Sequence, residues 1–141
     1  MPADPGPFDL DTMRLIMDPR GMTTTKPATP AFYQELDDEF DGFAGHTLIS
    51  RHEFEDDWGV WEMHPEGDEF VYLLSGDIDF VLWTAETGER TVRVHEPGSY
   101  IIVPKGAWHT ARPRTRTAML FVTPGEGTRH AETLEAVTRA T

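Results

Sequence analysis

The stretch of residues 58–76, WGVWEMHPEGDEFVYLLSG, constrains the fold of this chain more than any other feature. It has the pattern of a strand, a tight turn and a second strand. Because side chains alternate between the two faces of a strand, Glu62 and His64 leave the first strand on the same side. The PEGD sequence that follows is typical of a turn, since proline fixes φ and glycine permits conformations that other residues avoid.

Glu69 opens the second strand of this hairpin, and Val71 and Leu73 follow it on the same face. That face is mostly apolar, so we expect it to lie in the interior of the protein. Three side chains of the types that ligate metals therefore point inward from one hairpin. A second stretch, residues 98–109 (GSYIIVPKGAWH), ends at His109, which can supply a fourth.

Two imidazoles and a carboxylate form the donor set of a facial metal site, which suits Fe(II), Mn(II), Co(II) or Ni(II). Zinc also accepts these donors, although it prefers four ligands. We therefore predict that one divalent metal ion (Fe, Mn, Ni, Co or Zn) is held by four side chains: Glu62, His64, Glu69 and His109. The alternative for the two histidines is a structural role near the rim of a sheet.

Glu62 keeps several roles open, and it is also the candidate catalytic residue. It could ligate the metal, hydrogen-bond a metal-bound water, or act as a base beside a three-ligand centre. A bulge that shifts the parity of the strand would instead turn its side chain outward. His46 and His52 share a strand face and could line the mouth of the pocket, but a surface or rim position is favoured for both. His95 precedes a turn and His130 lies in the tail, and both are assigned structural or solvated roles.

Beyond residue 46, most of the chain has the period of two that is typical of strands. About eight or nine short strands, separated by turns rich in glycine and proline, predict an all-β protein that forms a double-sheet jelly roll or barrel. We assign this domain to residues 29–125. It begins with a helix over residues 30–40, in which Thr29 is the N-cap, Pro30 is the first helical residue, and apolar side chains recur every four positions.

The two ends of the chain have other patterns. Residues 1–28 are rich in proline and predict an extended, irregular N-terminal arm with a short helical turn at residues 10–17. The apolar side chains of this arm favour docking over disorder, which is the alternative. Together with exposed strand edges, the arm predicts a homodimer. Residues 126–141 predict a polar tail with a weak surface helix.

Composition excludes several classes of function. With 25 acidic and 12 basic residues, the formal net charge is −13, which repels the phosphate backbone of nucleic acids. The sequence has no cysteine, so it forms no disulfides and has no thiol chemistry. No apolar run approaches the ~20 residues of a membrane-spanning helix, and the start does not resemble a signal peptide. We therefore expect a cytoplasmic protein that binds a small-molecule ligand or substrate, with no nucleic acid and no membrane as partner.

The two stretches described above resemble the motifs of the cupin superfamily. The first cupin motif is G-x5-H-x-H-x(3,4)-E-x6-G, and the second is G-x5-P-x-G-x2-H-x3-N. Seven motif positions are matched at the correct spacing: His64, Glu69, Gly76, Gly98, Pro104, Gly106 and His109. Matches at this number of fixed positions over about 50 residues are a specific signal for the fold.

Three positions depart from the cupin pattern. Glu62 replaces the first histidine, Pro113 replaces the final asparagine, and the leading glycine is displaced to Gly59. The resemblance implies a cupin barrel, a double-stranded β-helix, where periodicity alone does not choose between a sandwich and a barrel. It also implies one divalent metal in the barrel and a small oxygenated substrate, as in cupin dioxygenases, isomerases and epimerases.

Two other functions are consistent with the same residues. A non-catalytic module would hold a small ligand or a metal for sensing or storage without turnover. A metal-free sugar-nucleotide epimerase would move a proton with His64 and a tyrosine, but it needs a basic pocket for phosphates, and the predicted interior is acidic. The fold alone does not choose among these functions, and the sequence names neither the substrate nor the reaction.

Overall fold

The structure is a computed structural model that describes residues 4–140, in which eleven strands and two short helices are present. In chain order the elements are β1 (Met13–Met17), β2 (Thr23–Pro27), α1 (Phe32–Glu39), β3 (Thr47–Phe54), β4 (Trp61–Met63), β5 (Glu69–Ser75), β6 (Ile78–Thr84), β7 (Gly88–Val94), β8 (Tyr100–Val103), β9 (Trp108–Pro113), β10 (Thr117–Thr123), β11 (Arg129–Ala131) and α2 (Leu134–Ala140). The predicted all-β class is confirmed. Neither helix has the length and apolarity that a bilayer-crossing helix needs.

The strands form two antiparallel sheets. The six-stranded sheet has the order β2-β1-β3-β10-β5-β8, and the five-stranded sheet has the order β11-β4-β9-β6-β7. From β3 onward, the chain changes sheet at every connection except the one between β6 and β7, as it does in a jelly roll. Within residues 4–140, no strand pair joins the two sheets, so they form two open layers rather than a closed barrel.

The main core lies between the two sheets and follows the predicted alternation. On β5, Glu69, Val71 and Leu73 are buried, while Phe70 and Tyr72 on the other face are only partly buried. Both sheets contribute buried apolar side chains to the same cluster: Val71, Leu73, Ile78, Phe80, Val94, Val103, Ala107, Ala111, Met119 and Phe121. Burial of these inner faces holds the layers together and leaves Glu69 inside an apolar surrounding.

The N-terminal segment differs from the predicted irregular arm. β1 and β2 form a hairpin, and β1 extends the six-stranded sheet by pairing with β3, with Leu15 opposite Ile49. Ile16 is 1% exposed and packs in one cluster with Phe32 and Leu36 of α1. The segment therefore docks on its own chain, and the helical turn predicted at residues 10–17 is wrong because tertiary packing outweighs local propensity. The domain boundaries at residues 28 and 125 stay a prediction.

Helix α1 is present but begins later than predicted. Ala31, not Thr29, is the N-cap, and it makes no side-chain capping bond. The Thr29 hydroxyl instead donates to the Glu35 carboxylate at 3.4 Å, so it is not available for the helix terminus. Phe32 and Leu36 are buried, as the four-residue spacing predicted.

The C-terminal tail contains a strand and a helix. β11 pairs with β4, which was not predicted, because three residues are too few to show a period. The weak helix predicted in the tail is confirmed as α2. It covers the outer face of the five-stranded sheet, where Val137 is fully buried in one cluster with Trp61 and Trp108.

Gly76 closes the first motif at the turn between β5 and β6. Its φ is 108°, and a Cβ there would lie 2.5 Å from Thr117 Oγ1 and 2.6 Å from the Arg116 carbonyl oxygen. Gly88 has a φ of 68° but no heavy atom within 4 Å of such a Cβ, so it serves as a control for the backbone conformation alone.

We expect Gly76→Ala to lower the free energy of unfolding by about 2–5 kcal/mol, because backbone strain and a steric clash add. Gly88→Ala should lower it by only about 1–2 kcal/mol, through backbone strain. Urea denaturation of both variants measures the difference. Equal losses of unfolding free energy in the two variants would show that the clash with Thr117 and Arg116 does not add to the backbone strain.

Candidate metal centre

Strands β4 and β9 place three of the four predicted ligands next to one another. The strands pair antiparallel, with Glu62 opposite His109. Trp61 and Met63 alternate with Glu62 on β4 and pack in the cluster under α2. Glu62 and His64 therefore face the cavity between the sheets, and the outward orientation that a bulge would give Glu62 is not observed.

Glu69 approaches the same place from the facing sheet. It is the first residue of β5, lies opposite Val103 of β8, and is 3% exposed. The His64 carbonyl oxygen accepts a hydrogen bond from the Gly106 amide at 3.0 Å. This bond ties the end of β4 to the turn before β9, so the two sequence motifs are physically joined and the positions of His64 and His109 are coupled.

The four side chains converge. Glu69 Oε2 lies 3.3 Å from His64 Nε2, and Glu69 Oε1 lies 3.2 Å from His109 Nε2. Glu62 Oε2 is 3.9 Å from His109 Nε2. One donor atom from each of Glu62, His64 and His109 lies within 4.8 Å of the others. Glu69 therefore contacts both imidazole rings, and Glu62 lies farther from His109 than Glu69 does.

The buried donor atoms at this centre lack hydrogen-bond partners. His64 Nε2, His109 Nε2 and Glu69 Oε1 are enclosed, and their mutual contacts are not aligned as hydrogen bonds. Leaving such atoms unsatisfied is costly, so a natural structure seldom does so without a reason. Ligands about 2.0–2.2 Å from one metal ion stand about 3.0–3.5 Å apart, and the separations of 3.2 and 3.3 Å fit this range.

The tautomer of His64 follows from its neighbour Thr128. The Thr128 hydroxyl donates its hydrogen to the Gly125 carbonyl oxygen at 2.9 Å, and it lies 2.9 Å from His64 Nδ1. The hydroxyl has only one hydrogen, so Nδ1 must donate to it. In the neutral ring the lone pair then lies on Nε2, which faces Glu69 and is the nitrogen that a metal needs.

Glu69 and His109 shift each other's pKa. Burial alone would raise the pKa of Glu69, but contacts with the His109 and His64 rings outweigh burial and lower it to about 2. Burial alone would lower the pKa of His109, but the contact with Glu69 and the charge of Glu62 raise it above its usual value. Without a metal, the pairing of a Glu69 carboxylate with a protonated His109 therefore persists to a higher pH than the usual pKa of histidine would allow.

A cavity of about 720 Å³ opens over these side chains. Its aromatic wall is formed by Phe54, Trp58 and Phe121, whose ring centroids are 5.3–6.1 Å apart. The Trp58 ring also packs 5.9 Å from the ring of His109. Helix α1 contributes Tyr33 to the rim. The volume and the mixture of apolar walls with a few polar groups are typical of small-molecule sites.

No protein-family model and no curated protein matches the sequence. Solved structures do match. Oxalate decarboxylase from Bacillus subtilis, a protein with Mn(II) centres, is 16% identical over 61% of this chain and 23% of its own, with a TM-score of 0.50. Peruvianin-I, a cysteine peptidase from Thevetia peruviana latex, is 17% identical over 62% of this chain and 57% of its own, with a TM-score of 0.51. A cupin-2 domain containing protein from Shewanella frigidimarina is 17% identical over 55% of this chain and 70% of its own, with a TM-score of 0.47.

The chain has the cupin fold. The resemblance to the cupin superfamily, which the two motifs predicted, is confirmed at the level of the fold. This chain spans about a quarter of the oxalate decarboxylase chain and little more than half of Peruvianin-I, so the likeness does not extend to their activities.

One departure from the cupin motif changes the chemistry of the centre. Glu62 occupies the place of the first motif histidine and lines the cavity, so an anionic oxygen donor stands where an imidazole is usual. Its carboxylate is 28% exposed, compared with 4% for that of Glu69. The second departure, Pro113, lies at the end of β9, opposite Ile78 and away from the cavity.

Two histidines have a closer relation to the site than the sequence indicated. His130 was assigned to the solvated tail, but β11 places it opposite Glu62, with Nε2 3.4 Å from Glu62 Oε1. No pattern in a three-residue strand could have shown this. His52 lines the cavity wall, with Nε2 3.4 Å from the Tyr33 hydroxyl. His46 packs against Phe40 and lies outside the cavity.

The contact between Thr128 and His64 gives a testable consequence. In Thr128→Val the His64 Nδ1–H loses its acceptor, so the ring is no longer fixed. We expect the affinity for a divalent metal to fall about 10–100-fold. Thr138→Val is the matched control, because the Thr138 hydroxyl bonds only within α2, to the Glu135 carbonyl oxygen. Calorimetric titration with Zn(II) measures both, and an unchanged affinity in Thr128→Val contradicts the assignment.

Proposed function

We propose that this protein is a metal-dependent cupin, in which one divalent ion (Fe, Mn, Ni, Co or Zn) is held between the sheets and a small oxygenated substrate reacts in a dioxygenase- or isomerase-like reaction. The observation that carries the proposal is the convergence of His64 Nε2, His109 Nε2 and Glu69 Oε1, all buried and without hydrogen-bond partners. Two nitrogen donors and one oxygen donor on one side of an open cavity form a facial set.

The chain's own residues have distinct roles in this proposal. His64, His109 and Glu69 would hold the ion, and Thr128 and Thr123 orient two of these ligands from behind. A bound ion would supply Lewis-acid chemistry or, if it is redox-active, electron transfer. The carboxylates of Glu62 and Glu69 together balance the charge of a divalent ion.

Glu62 is placed to hold a proton or to be a fourth ligand. It faces the cavity, is less buried than Glu69, and contacts both His109 and His130. A carboxylate in that position can take a proton from a substrate that sits over the centre. The apolar side chains of the wall, among them Phe54, Trp58 and Phe121, would shield one side of the substrate from bulk water.

A non-catalytic metal or ligand module would use the same donor set. The cavity is open above the centre, with room for a ligand, and this favours a reacting substrate over simple storage of an ion. A metal-free sugar-nucleotide epimerase is disfavoured, because no lysine or arginine in residues 4–140 lines the cavity to meet a diphosphate.

The proposal is tested by thermal unfolding of chelator-stripped protein at pH 7.5, with each of the five ions added in turn. We expect at least one ion to raise the melting temperature, by an amount that corresponds to about 2.7 kcal/mol at a hundredfold excess over its dissociation constant. His64→Ala should abolish the rise, and His95→Ala, an exposed position, should keep it. The proposal is falsified if no ion stabilises the wild-type protein.

We also propose that the protein is a homodimer. Its interface would be formed by strand β8, not by the N-terminal segment. β8 is the last strand of the six-stranded sheet, and Tyr100 and Ile102 on it are 58% and 46% exposed. An edge strand beside exposed apolar side chains can pair with the same strand of a second copy. Sedimentation should give twice the chain mass for wild type and for Met22→Lys, and the chain mass for Tyr100→Lys with Ile102→Lys. A monomeric wild type contradicts this.

A further inference from the structure

Apart from histidines, every ionisable acidic or basic side chain that lines the cavity is acidic. No lysine or arginine in the described part of the chain lines it, whereas five carboxylates do: Asp37, Asp56, Asp57, Glu62 and Glu69. With a divalent ion bound, five carboxylates leave a formal charge of −3. The Arg14 guanidinium does not line the cavity, and it lies 4.6 Å from the ring of Phe32 and 5.4 Å from that of Tyr33.

Three histidines line the cavity, His52, His64 and His130, and even three positive charges would not outnumber the five carboxylates. Burial, with a smaller contribution from the charge of Arg14, lowers the pKa of His52, so this ring is neutral near pH 7. His64 must be neutral to bind a metal. Three of the carboxylates, those of Asp37, Asp56 and Asp57, are exposed and lie where a ligand enters from solvent.

Unpartnered polar atoms at the floor of the cavity indicate, apart from the charges, that the cavity takes a ligand. The side chains of His64 and Glu69 are 5% and 4% exposed, and each keeps an unpartnered polar atom at the cavity floor. Above them stands the aromatic wall of Phe54, Trp58 and Phe121. Phe54 and Phe121 meet edge to face, and Trp58 is tilted against both, so the three rings offer a surface for a further ring or a cation.

We propose that the cavity selects uncharged or cationic ligands with a ring-sized apolar body, and rejects carboxylates and phosphates. This inference rests on the proposed function in placing the ligand over the same centre, and it sharpens that function by naming the class of substrate. A carboxylate or phosphate would approach through three exposed acids and then meet two more, with no basic side chain to pair with. A ligand with a neutral hydroxyl or a cationic amine is not repelled by these acids, and its apolar body can pack against the aromatic wall.

The test uses three probes that share a naphthalene ring and differ in charge: 1-naphthalenemethanol, 1-naphthylmethylamine and 1-naphthoate. Binding is measured by calorimetry on full-length wild-type protein, both zinc-loaded and chelator-stripped. We expect the alcohol and the amine to bind both forms, and naphthoate to bind at least about tenfold more weakly than the alcohol. Equal or tighter binding of naphthoate in either form overturns the inference, as does failure of all three probes to bind at millimolar concentration.

Two double variants test whether the acids at the entrance cause the selection. Asp56→Asn with Asp57→Asn should reduce the ratio of the dissociation constant of naphthoate to that of the amine by about three- to tenfold, and added salt should reduce this ratio in wild type. Glu86→Gln with Glu89→Gln removes the same charge from the distant β6–β7 hairpin and should leave the ratio unchanged. An unchanged ratio in the aspartate variant, or an equal change in the control, overturns the inference. If stripped protein keeps the order of the probes but never binds zinc, the charge selection stands and the metal function fails.

Discussion

His109→Leu should lower the free energy of unfolding of the metal-free protein by about 3–5 kcal/mol, a large part of the stability of a domain of this size. His109 is fully buried, and Glu69 is 3% exposed. Removing the imidazole takes away the closest ionisable partner of the buried Glu69 carboxylate and leaves it with the His64 ring at 3.3 Å and the Thr123 hydroxyl. The same variant should lose metal-dependent stabilisation, because one of two nitrogen donors is gone.

A double variant separates the effect of the lone carboxylate from the loss of packing. Glu69→Leu combined with His109→Leu removes both charges, and replacement of a buried ion pair by apolar groups is often neutral. We therefore expect the double variant to recover most of the stability that His109→Leu loses, while it still fails to bind metal. Chemical denaturation measures the three free energies. A double variant that is as unstable as the single one would show that packing, not charge, accounts for the loss.

Metal-dependent stabilisation should decrease as pH falls, and it should begin to decrease above pH 6.5. Both imidazoles must be neutral to bind, so protons compete with the metal. Because Glu69 and Glu62 raise the pKa of His109 above its usual 6.5, this competition begins at a higher pH than an ordinary histidine would set. Below that pKa, the apparent affinity should fall by about tenfold per pH unit for each proton that the metal displaces.

The metal-free protein should show the opposite trend across the same range. His109 has a raised pKa when folded, so its contribution to stability is fully present below 6.5 and is lost as pH rises through the folded value. Glu69 has a pKa of about 2 when folded, so its contribution is present above its ordinary 4.5 and is lost as pH falls towards 2. The pair therefore stabilises the metal-free fold most between pH 4.5 and 6.5.

Melting temperatures measured from pH 4 to 9, with and without Zn(II), test these opposed trends. We expect the two curves to converge below about pH 6 and to separate as pH rises. His109→Leu should remove the separation. A metal effect that is constant from pH 5 to 9 would contradict the assignment of the imidazoles as ligands.

The strands and the clustering of the site residues were predictable because they depend on one rule, the alternation of side chains along a strand. That rule placed Glu62 and His64 on one face of the first strand, and Glu69, Val71 and Leu73 on one face of the second. In the structure, both faces point into the space between the sheets. The turn residues between them fixed where the strands begin and end.

The remaining features depend on contacts between distant parts of the chain. The segment of β1 was predicted to be an irregular arm, because its local pattern does not show that Ile16 fits under α1. The relation of His130 to Glu62 depends on the register of β11 against β4. Neither pairing leaves a local signal, and the size of the cavity depends on how far apart the two sheets stand.

Anomalous X-ray diffraction from crystals soaked in Mn(II) or Zn(II) would locate the metal itself. We expect one strong peak per chain, within about 2.0–2.3 Å of His64 Nε2, His109 Nε2 and a Glu69 oxygen. The position of Glu62 relative to that peak decides whether it is a ligand. If crystals of wild-type protein at pH 7.5 with metal in excess give no peak between the sheets, these residues do not form a metal site.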